Sequence, residues 1–423
     1  MTPVVWQPGA VSIEHVAVAG ASLAGLRACE ALRADGFAGR ITLIGAEPHL
    51  PYDRPPLSKK LLAGKLEPEQ IHLRKPADID GLGLDLRLGV PATALDPDAI
   101  RVHLADGSVV DADGLVIATG AAPRRLPDQP ELDGVFVLRT LDDALALRAR
   151  LGAGVRIVVV GAGFIGLEVA ATARQVGAEV TVLEGLAAPL VRGIGAAMGE
   201  AVARVHARHG VAIRCGVRVE RLAAAAGRVV GVDVVDGDRR EVVPADIVLV
   251  AIGVSPATGW LTGSGLQLDD GVVCDAALAT GRPGVYAAGD VVRWPNELFG
   301  EVMRIEHWTN AAEQGAAAAR SLLAWADGVP PSPYAPVPFF WSDQFEARVQ
   351  FLGRAGDGDD VEVHVVHGHP DDERFVALYG RAGRLSGVLG LSSPKLVMPF
   401  RKLLAERASL GEALAFAATQ PST

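Results

Sequence analysis

The stretch Ile157-Val-Val-Val-Gly161-Ala-Gly-Phe-Ile-Gly166 decides the fold. Four consecutive β-branched apolar residues read as a short strand buried on both faces, because a half-exposed strand would alternate with polar residues. Three glycines follow, and then a helical pattern from Leu167 to Val176. A dinucleotide pyrophosphate needs backbone N–H donors at a helix N-terminus and no side chain in the way. Gly161 and Gly163 give the tight turn, and Gly166 lets helix and strand pack closely.

The layout occurs twice. Val16-Ala-Val-Ala-Gly20-Ala-Ser-Leu-Ala-Gly25 is again an apolar strand, a glycine turn and a helix (Leu26 to Ala34). Gly20 supplies the turn here, and Ser22 stands where the middle glycine of the pattern would be. Serine is small, and its hydroxyl can meet a phosphate. Each helix leads to a second buried strand, Arg40 to Ile44 and Glu179 to Leu183, with an acid beside its end, Glu47 and Glu184. Strand–turn–helix–strand, twice, is the order of parallel βαβ units. One glycine turn is weak evidence; two in this context predict two nucleotide sites.

Glu184 is placed to accept both ribose hydroxyls of NADH. It would repel the 2′-phosphate of NADPH by up to ~4 kcal/mol at 4 Å in an effective dielectric near 20. No Arg follows it directly, Arg192 being further on, so NADH is the expected substrate. Glu47 has the same role at the first site, with Ala46 an equally plausible register.

Further apolar runs closed by glycine, Gly114 to Gly120 and Asp246 to Gly253, read as buried strands, as does Val285 to Asp290. Glu313 to Ala326 reads as an Ala-rich helix. Gly328 to Pro338 carries five prolines and is the candidate linker. Beyond it, strand-like runs at Val361 to Val366 and Arg374 to Tyr379 precede a final helix near Ser393 to Arg407.

Composition bounds the remainder. The chain has 423 residues, enough for two or three domains, with a net charge of −10 that argues against bulk nucleic-acid binding. Its three cysteines, Cys29, Cys215 and Cys274, are far apart, which reads as a reduced, cytoplasmic protein without a disulfide framework. Met1 to Ala10 has neither Lys, Arg nor an apolar core, so no signal peptide is expected. The longest apolar stretch, Ile157 to Ala173, is interrupted by glycines and Glu168, so no membrane partner is expected. His206 and His209, and His364, His367 and His369, are close in sequence, but no metal site is expected. Strand alternation would put His364 on the face opposite His367 and His369.

Five blocks occur together in order: Tyr52-Asp-Arg-Pro-Pro-Leu-Ser-Lys59, Ala118-Thr-Gly120, Gly161 to Glu168, Gly284 to Asp290 and Arg304-Ile-Glu-His-Trp308. With Phe340-Trp-Ser-Asp-Gln344 they resemble the FAD-dependent NADH–ferredoxin reductases of oxygenase systems, a putidaredoxin reductase-like family with a glutathione-reductase-like fold. The resemblance covers nearly the whole chain. It implies an α/β architecture of two Rossmann-like dinucleotide-binding domains and a C-terminal α+β domain. The expected divisions are 1–122 with 251–328 for FAD, 123–250 for NAD and 329–423 for the C-terminal domain.

The same resemblance implies FAD contacts from Gly20, Ser22, Ala24, Gly25, Glu47, Arg54, Lys59, Ala92, Thr119, Gly120, Arg139, Asp290 and Trp308. It implies NADH contacts from Gly161, Gly163, Ile165, Gly166, Glu168, Glu184 and Gly253. Lys59 resembles the lysine beside flavin N5, Asp290 the partner of the ribityl chain, and Glu168 the acid facing the nicotinamide. Trp308 falls beside the isoalloxazine, and Trp341 in the block covering the flavin. The expected activity is hydride transfer from NADH to FAD, then release of single electrons to a 2Fe–2S ferredoxin that feeds a monooxygenase or ring-hydroxylating dioxygenase. The flavin carries the chemistry, with Lys59 and Glu168 in support. Disulfide reductases of this fold need a cysteine pair, and peroxidase relatives need one cysteine within Gly45 to Gly64; neither is present. A redox-sensing module of the apoptosis-inducing-factor type, or a reductase for rubredoxin or a quinone, are the alternatives. Arg54, Lys59, Lys60, Lys65, Arg74 and Lys75 are the candidate contacts for an acidic ferredoxin.

Overall fold

The computed structural model describes residues 11–356, 360–372 and 374–421. The expectation for Met1 to Ala10 lies outside these residues. Two compact units are formed: Met1–Asp53, Ile71–Ala122 and Ser255–Pro338 make the first, and Arg54–Gln70, Pro123–Val254 and Phe339–Thr423 the second.

The first unit is built on a parallel sheet in the order Val285–Ala287, Gly114–Ile117, His15–Ala19, Arg40–Gly45, Leu84–Leu88. The central strands are buried along almost their whole length, as their unbroken apolar runs require. Helices Leu23–Ala34 and Trp308–Ala326 pack together. Gly315 makes this possible, since a Cβ there would lie 2.2 Å from the Ala24 carbonyl oxygen. The helix begins at Trp308, five residues before the Glu313 expected from composition. The strand expected to reach Asp290 stops at Ala287, and Asp290 sits in a short 3₁₀ turn. The proline-rich segment is extended but tied down: its Tyr334 and Pro336 carbonyls accept hydrogen bonds from Trp294 Nε1 and Asn296 Nδ2, both at 3.0 Å.

The second unit repeats the parallel plan, in the order Ala212–Cys215, Glu179–Glu184, Arg156–Val160, Ile247–Val250, Val135–Phe136. A three-stranded antiparallel sheet, Arg218–Ala225, Arg228–Asp236 and Arg239–Pro244, packs its apolar face against it. The C-terminal portion is an antiparallel sheet in the order Phe339–Gln344, Ala347–Gly353, Arg384–Leu391, Phe375–Arg381, Val361–Gly368, with short helices after it. The fold class expected from the sequence is therefore observed: two parallel Rossmann-like sheets and a C-terminal α+β portion.

Two local expectations are corrected. The single final helix is two short ones, Pro394–Val397 and Phe400–Ala405, because Pro399 has no N–H to carry the hydrogen-bond ladder across, while Met398 and Pro399 both keep a helical backbone. A further helix, Leu410–Thr419, follows behind a Ser409–Glu412 capping box. The alternation assumed for the C-terminal histidines also fails. A register shift between Val365 and His367 sets His364 opposite Leu378 and His367 opposite Val376, so both lie on one face. Among the described residues no three His, Cys, Asp or Glu side chains converge as a metal site.

Candidate functional site

In the first unit, the predicted residues lie where the parallel strands end. Gly20 follows Ala19, Glu47 follows Gly45, Thr119 and Gly120 follow Ile117, Asp290 follows Ala287, and Ala92 lies just past Leu88. The chain order reverses between His15–Ala19 and Gly114–Ile117, and ligands of open parallel sheets bind outside the strand ends at such a reversal. Gly20 adopts φ +128, and a Cβ on it would lie 2.0 Å from the Ala118 carbonyl oxygen. Gly25 is barred from a side chain by the Gly20 carbonyl oxygen, 1.9 Å from the Cβ position. Ser22 is the N-cap residue of the helix, and Ala24 is buried beneath it.

Around this turn the polar residues are held. Glu47 accepts a 2.5 Å hydrogen bond from the Tyr52 hydroxyl and is half-buried, while Ala46 is exposed. Thr119 Oγ1 donates to the Ala257 carbonyl at 3.0 Å, and Gly120 adopts φ +70. The Asp290 carbonyl accepts from Arg304 at 3.4 Å, and Gly289 beside it is bound by the buried Gln314 side chain at 2.7 Å. Trp308 is half-buried at the start of its helix, and its indole N–H donates to Asp53 at 2.6 Å.

The second unit reproduces the clamp. Gly161 adopts φ +103, with a Cβ position 2.4 Å from the Ala251 carbonyl oxygen. Gly166 is barred by the Gly161 carbonyl oxygen at 2.3 Å. Gly163 differs: its φ is −76, and a Cβ there would meet nothing within 4 Å. It is the N-cap of helix Phe164–Gln175, so this open space adjoins the free N–H groups of the helix start. Such a cradle fits a dinucleotide pyrophosphate. Ile165 is 41% exposed in the first helical turn, and Gly253 is a positive-φ turn residue (φ +97) with open space around it. The Glu184 carboxylate lies across the turn, accepting from Ala162 N at 2.7 Å and from Leu186 N at 2.9 Å. It is thereby fixed at the end of the strand next to the one feeding the glycine turn.

Helix Phe164–Gln175 also carries Glu168 and, one turn on, Thr172, both buried on one face. Glu168 accepts hydrogen bonds from Ser58 Oγ at 2.5 Å, Lys59 Nζ at 2.6 Å and Ser342 Oγ at 2.7 Å. Thr172 donates to the Ser58 carbonyl at 2.8 Å. The Pro55–Ser58 turn is thus anchored to the helix, and its lysine is paired and mostly buried. The structure brings together Lys59 and Glu168, which the sequence marked separately. Arg54 donates to the Arg139 carbonyl, joining two further marked residues. Arg139 precedes a Thr140–Asp143 capping box whose carboxylate also accepts the Arg139 N–H at 2.9 Å.

Three side chains around Glu168 escaped the sequence reading as functional residues. Ser342 and Gln344 lie in the strand Phe339–Gln344, whose alternate residues Phe340, Ser342 and Gln344 face one way. Phe340 packs on Phe164 and Phe351, Ser342 bonds Glu168, and Gln344 bonds Ser342 at 3.1 Å and His206 at 2.8 Å. His206 is completely buried, and burial lowers its pKa to about 4. Trp341, on the opposite face, stacks with Phe339.

Of the six basic candidates for partner contact, Lys59 is paired with Glu168 and Arg74 with Glu30 at 2.7 Å, and Arg54 is tied to Arg139. Lys60, Lys65 and Lys75 are exposed. The cysteines are free thiols; Cys29 and Cys274 are buried, and burial pushes Cys29 up to about 12. Among the described residues no helix is long and apolar enough to cross a membrane.

Comparison with known proteins agrees with this geometry. Residues 14–315 match the family model described as pyridine nucleotide-disulphide oxidoreductase, and residues 339–421 match the one described as reductase C-terminal. The chain is 38% identical to rhodocoxin reductase of Rhodococcus erythropolis over 92% of this chain and 89% of that protein. It is 38% identical to the ferredoxin–NAD(+) reductase component of the anthranilate 1,2-dioxygenase system of Burkholderia cepacia, over 93% and 95%. The reductase in the crystal structure of the covalent putidaredoxin reductase–putidaredoxin complex superposes with a TM-score of 0.88 at 32% identity, covering 96% of this chain and 99% of that one. With both glycine clamps in place and the C-terminal portion matched, the chain belongs to the pyridine nucleotide-disulphide oxidoreductase family, among its putidaredoxin reductase-like ferredoxin reductases.

Proposed function

We propose that this reductase oxidises NADH and delivers the electrons singly, through FAD, to a small iron–sulfur ferredoxin that supplies an oxygenase. The family implies FAD and a nicotinamide dinucleotide. The observation that carries the reading is the pair of glycine clamps, one in each unit, each with an acid beside the next strand end. Gly20, Ser22, Ala24, Gly25, Glu47, Thr119, Gly120 and Asp290 form the FAD turn of the first unit, with Ala92 and Trp308 in the same unit. Gly161, Gly163, Ile165, Gly166, Glu184 and Gly253 form the NADH turn of the second. In this reading the 1–122 and 251–328 segments serve FAD, 123–250 serves NAD, and 329–423 is the C-terminal domain.

When bound, the flavin supplies the conversion of a two-electron hydride into single electrons. The chain's own residues position and select. Glu184 favours a free ribose diol over a 2′-phosphate, because the diol can donate to it and the phosphate is repelled. Lys59 provides fixed positive charge at the flavin edge, Arg54 and Arg139 supplement it, and Glu168 orients Lys59 and faces the nicotinamide. No side chain is required as acid or base for hydride transfer, so positioning is the main contribution. The relatives' names support a ferredoxin acceptor in oxygenase systems. Free thiols support a reducing, cytoplasmic setting.

The test is NADH-dependent cytochrome c reduction by the purified protein, with and without an added 2Fe–2S ferredoxin, repeated with NADPH. Strong stimulation by the ferredoxin with NADH supports the reading. Flavin bleaching by NADH without stimulation by any ferredoxin tried would overturn the acceptor and leave the dinucleotide sites standing.

A further inference from the structure

The Lys59–Glu168 pair does not stand alone. Behind it runs a buried line of polar side chains: Glu168, Ser342, Gln344, His206. The direction of each bond follows from chemistry. Gln344 offers its Nε2 amide to the Ser342 oxygen at 3.1 Å, which leaves the single Ser342 proton for Glu168 Oε1 at 2.7 Å. Gln344 Oε1 is an acceptor, so the 2.8 Å contact with His206 requires the proton on His206 Nε2. Every bond therefore donates toward the Glu168 carboxylate. Ser342 and Gln344 are each about 1% exposed and His206 is 0% exposed, so solvent does not compete.

This order has a cost. The chosen tautomer leaves His206 Nδ1 bare, and it is buried with no hydrogen-bond partner. An orphaned buried acceptor is uncommon, and apolar side chains would fill the same space without it. Bonds that all point one way polarise one another and strengthen the last in the line. That last bond ends on Glu168, whose other oxygen holds Lys59 and Ser58.

We propose that His206, Gln344 and Ser342 are a one-way hydrogen-bond chain that fixes the Glu168 carboxylate, and through it the Lys59 ammonium, in a single orientation. They are positioning residues. The proposal rests on the reading that Lys59 and Glu168 face the reacting rings, but the chain itself is testable without that reading.

The experiment compares the flavin-loaded wild type with Ser342→Ala, Gln344→Met, Gln344→Glu, His206→Leu and His206→Gln. Reductive methylation of Lys59 is followed by mass spectrometry, with exposed Lys60 as the internal reference. Gln344→Glu keeps size but turns the Ser342 proton away from Glu168, whereas His206→Gln retains a donor for Gln344. The expected result is Lys59 methylation roughly tenfold faster, relative to Lys60, in Ser342→Ala, Gln344→Met and Gln344→Glu. His206→Leu should move the same way, and His206→Gln should stay near wild type. Stopped-flow flavin reduction should show a lower limiting rate with unchanged half-saturation by NADH. Wild-type methylation in Ser342→Ala and Gln344→Glu, at wild-type melting temperature, would overturn the chain. Faster methylation with unchanged limiting reduction rate would overturn its role in positioning. A wild-type flavin that NADH fails to bleach would instead sink the functional reading, while the methylation ratios would still decide the chain.

Discussion

Gly161, Gly163 and Gly166 look alike in the sequence, yet the structure gives them different work. Gly161 and Gly166 are glycine because a carbonyl oxygen occupies the Cβ position, whereas Gly163 has room for a side chain and an ordinary backbone conformation. Gly163→Ala should therefore fold, losing about 1 kcal/mol or less as an N-cap change, while weakening NADH binding by filling the cradle. Gly166→Ala should lower the melting temperature sharply, since backbone must move. Titrating NADH against each variant, alongside thermal unfolding, separates the two roles; equal destabilisation by both would contradict the assignment. His206 makes a pH prediction. Burial holds its pKa at about 4, below the 6.5 of an unfolded histidine, so the unfolded chain takes up a proton that the fold refuses. Stability from this residue is full above pH 6.5, falls as pH drops toward 4, and levels off below. The loss is about 3 kcal/mol over that window. His206→Gln should flatten the difference in denaturation midpoint between pH 7 and pH 4.5; an unchanged slope would show that His206 does not carry it. The glycine turns and the strand-end position of Glu184 were legible at this scale because local spacing sets them. The chain from His206 through Gln344 and Ser342 to Glu168 was not, because His206 and Gln344 are 138 residues apart and Ser342 and Glu168 are 174 apart, and they meet only in the fold.

The elements that the sequence identified are those with unbroken periodicity. After their polar first residues, strands His15–Ala19 and Arg156–Val160 are continuous apolar runs, and their helices follow the glycine turns. The misreadings have local causes. Helix Trp308–Ala326 begins before its alanine-rich part, with no side-chain cap to announce it. The C-terminal helix breaks at Pro399, and the β-bulge near His367 inverts a face that simple alternation would have kept. Helix Leu410–Thr419 carries a capping signature, Ser409 and Glu412 three residues apart, that the sequence reading passed over. Helix Leu141–Arg148 has the matching signature, with Thr140 accepting from Asp143 N at 3.1 Å. Thr140→Ala should cost about 1 kcal/mol in chemical denaturation. Because Asp143 also holds the Arg139 N–H, Asp143→Ala should in addition reduce flavin retention on dialysis. Retention equal to that of Thr140→Ala would remove Arg139 from the proposed flavin contacts.

Across the whole molecule, the net charge of −10 conceals unequal local chemistry. Of the basic residues near the Pro55–Ser58 turn and beyond, Lys60, Lys65 and Lys75 remain exposed for a partner. If these guide an acidic ferredoxin, electron transfer should slow as ionic strength rises, whereas flavin reduction by NADH should change little. Charge reversal of the three should abolish most of that salt dependence; a salt-independent wild-type rate would remove electrostatic guidance. The architecture was readable from two glycine turns and the composition shift after Pro338. Which stretches pack into one compact unit, such as Arg54–Gln70 with Pro123–Val254, depends on long-range packing rather than local pattern.

The two glycine clamps have one more consequence. At each site the obstructing atom is a main-chain oxygen, from Ala118 or Gly20 in one unit and Ala251 or Gly161 in the other. Every amino acid carries such an oxygen. A substitution at 118 or 251 leaves that oxygen in place, so each clamp is set by the main chain and by its glycines rather than by the chemistry of the facing side chain. A lineage of such proteins can diverge widely in its letters while inheriting the same two hands for holding nucleotides.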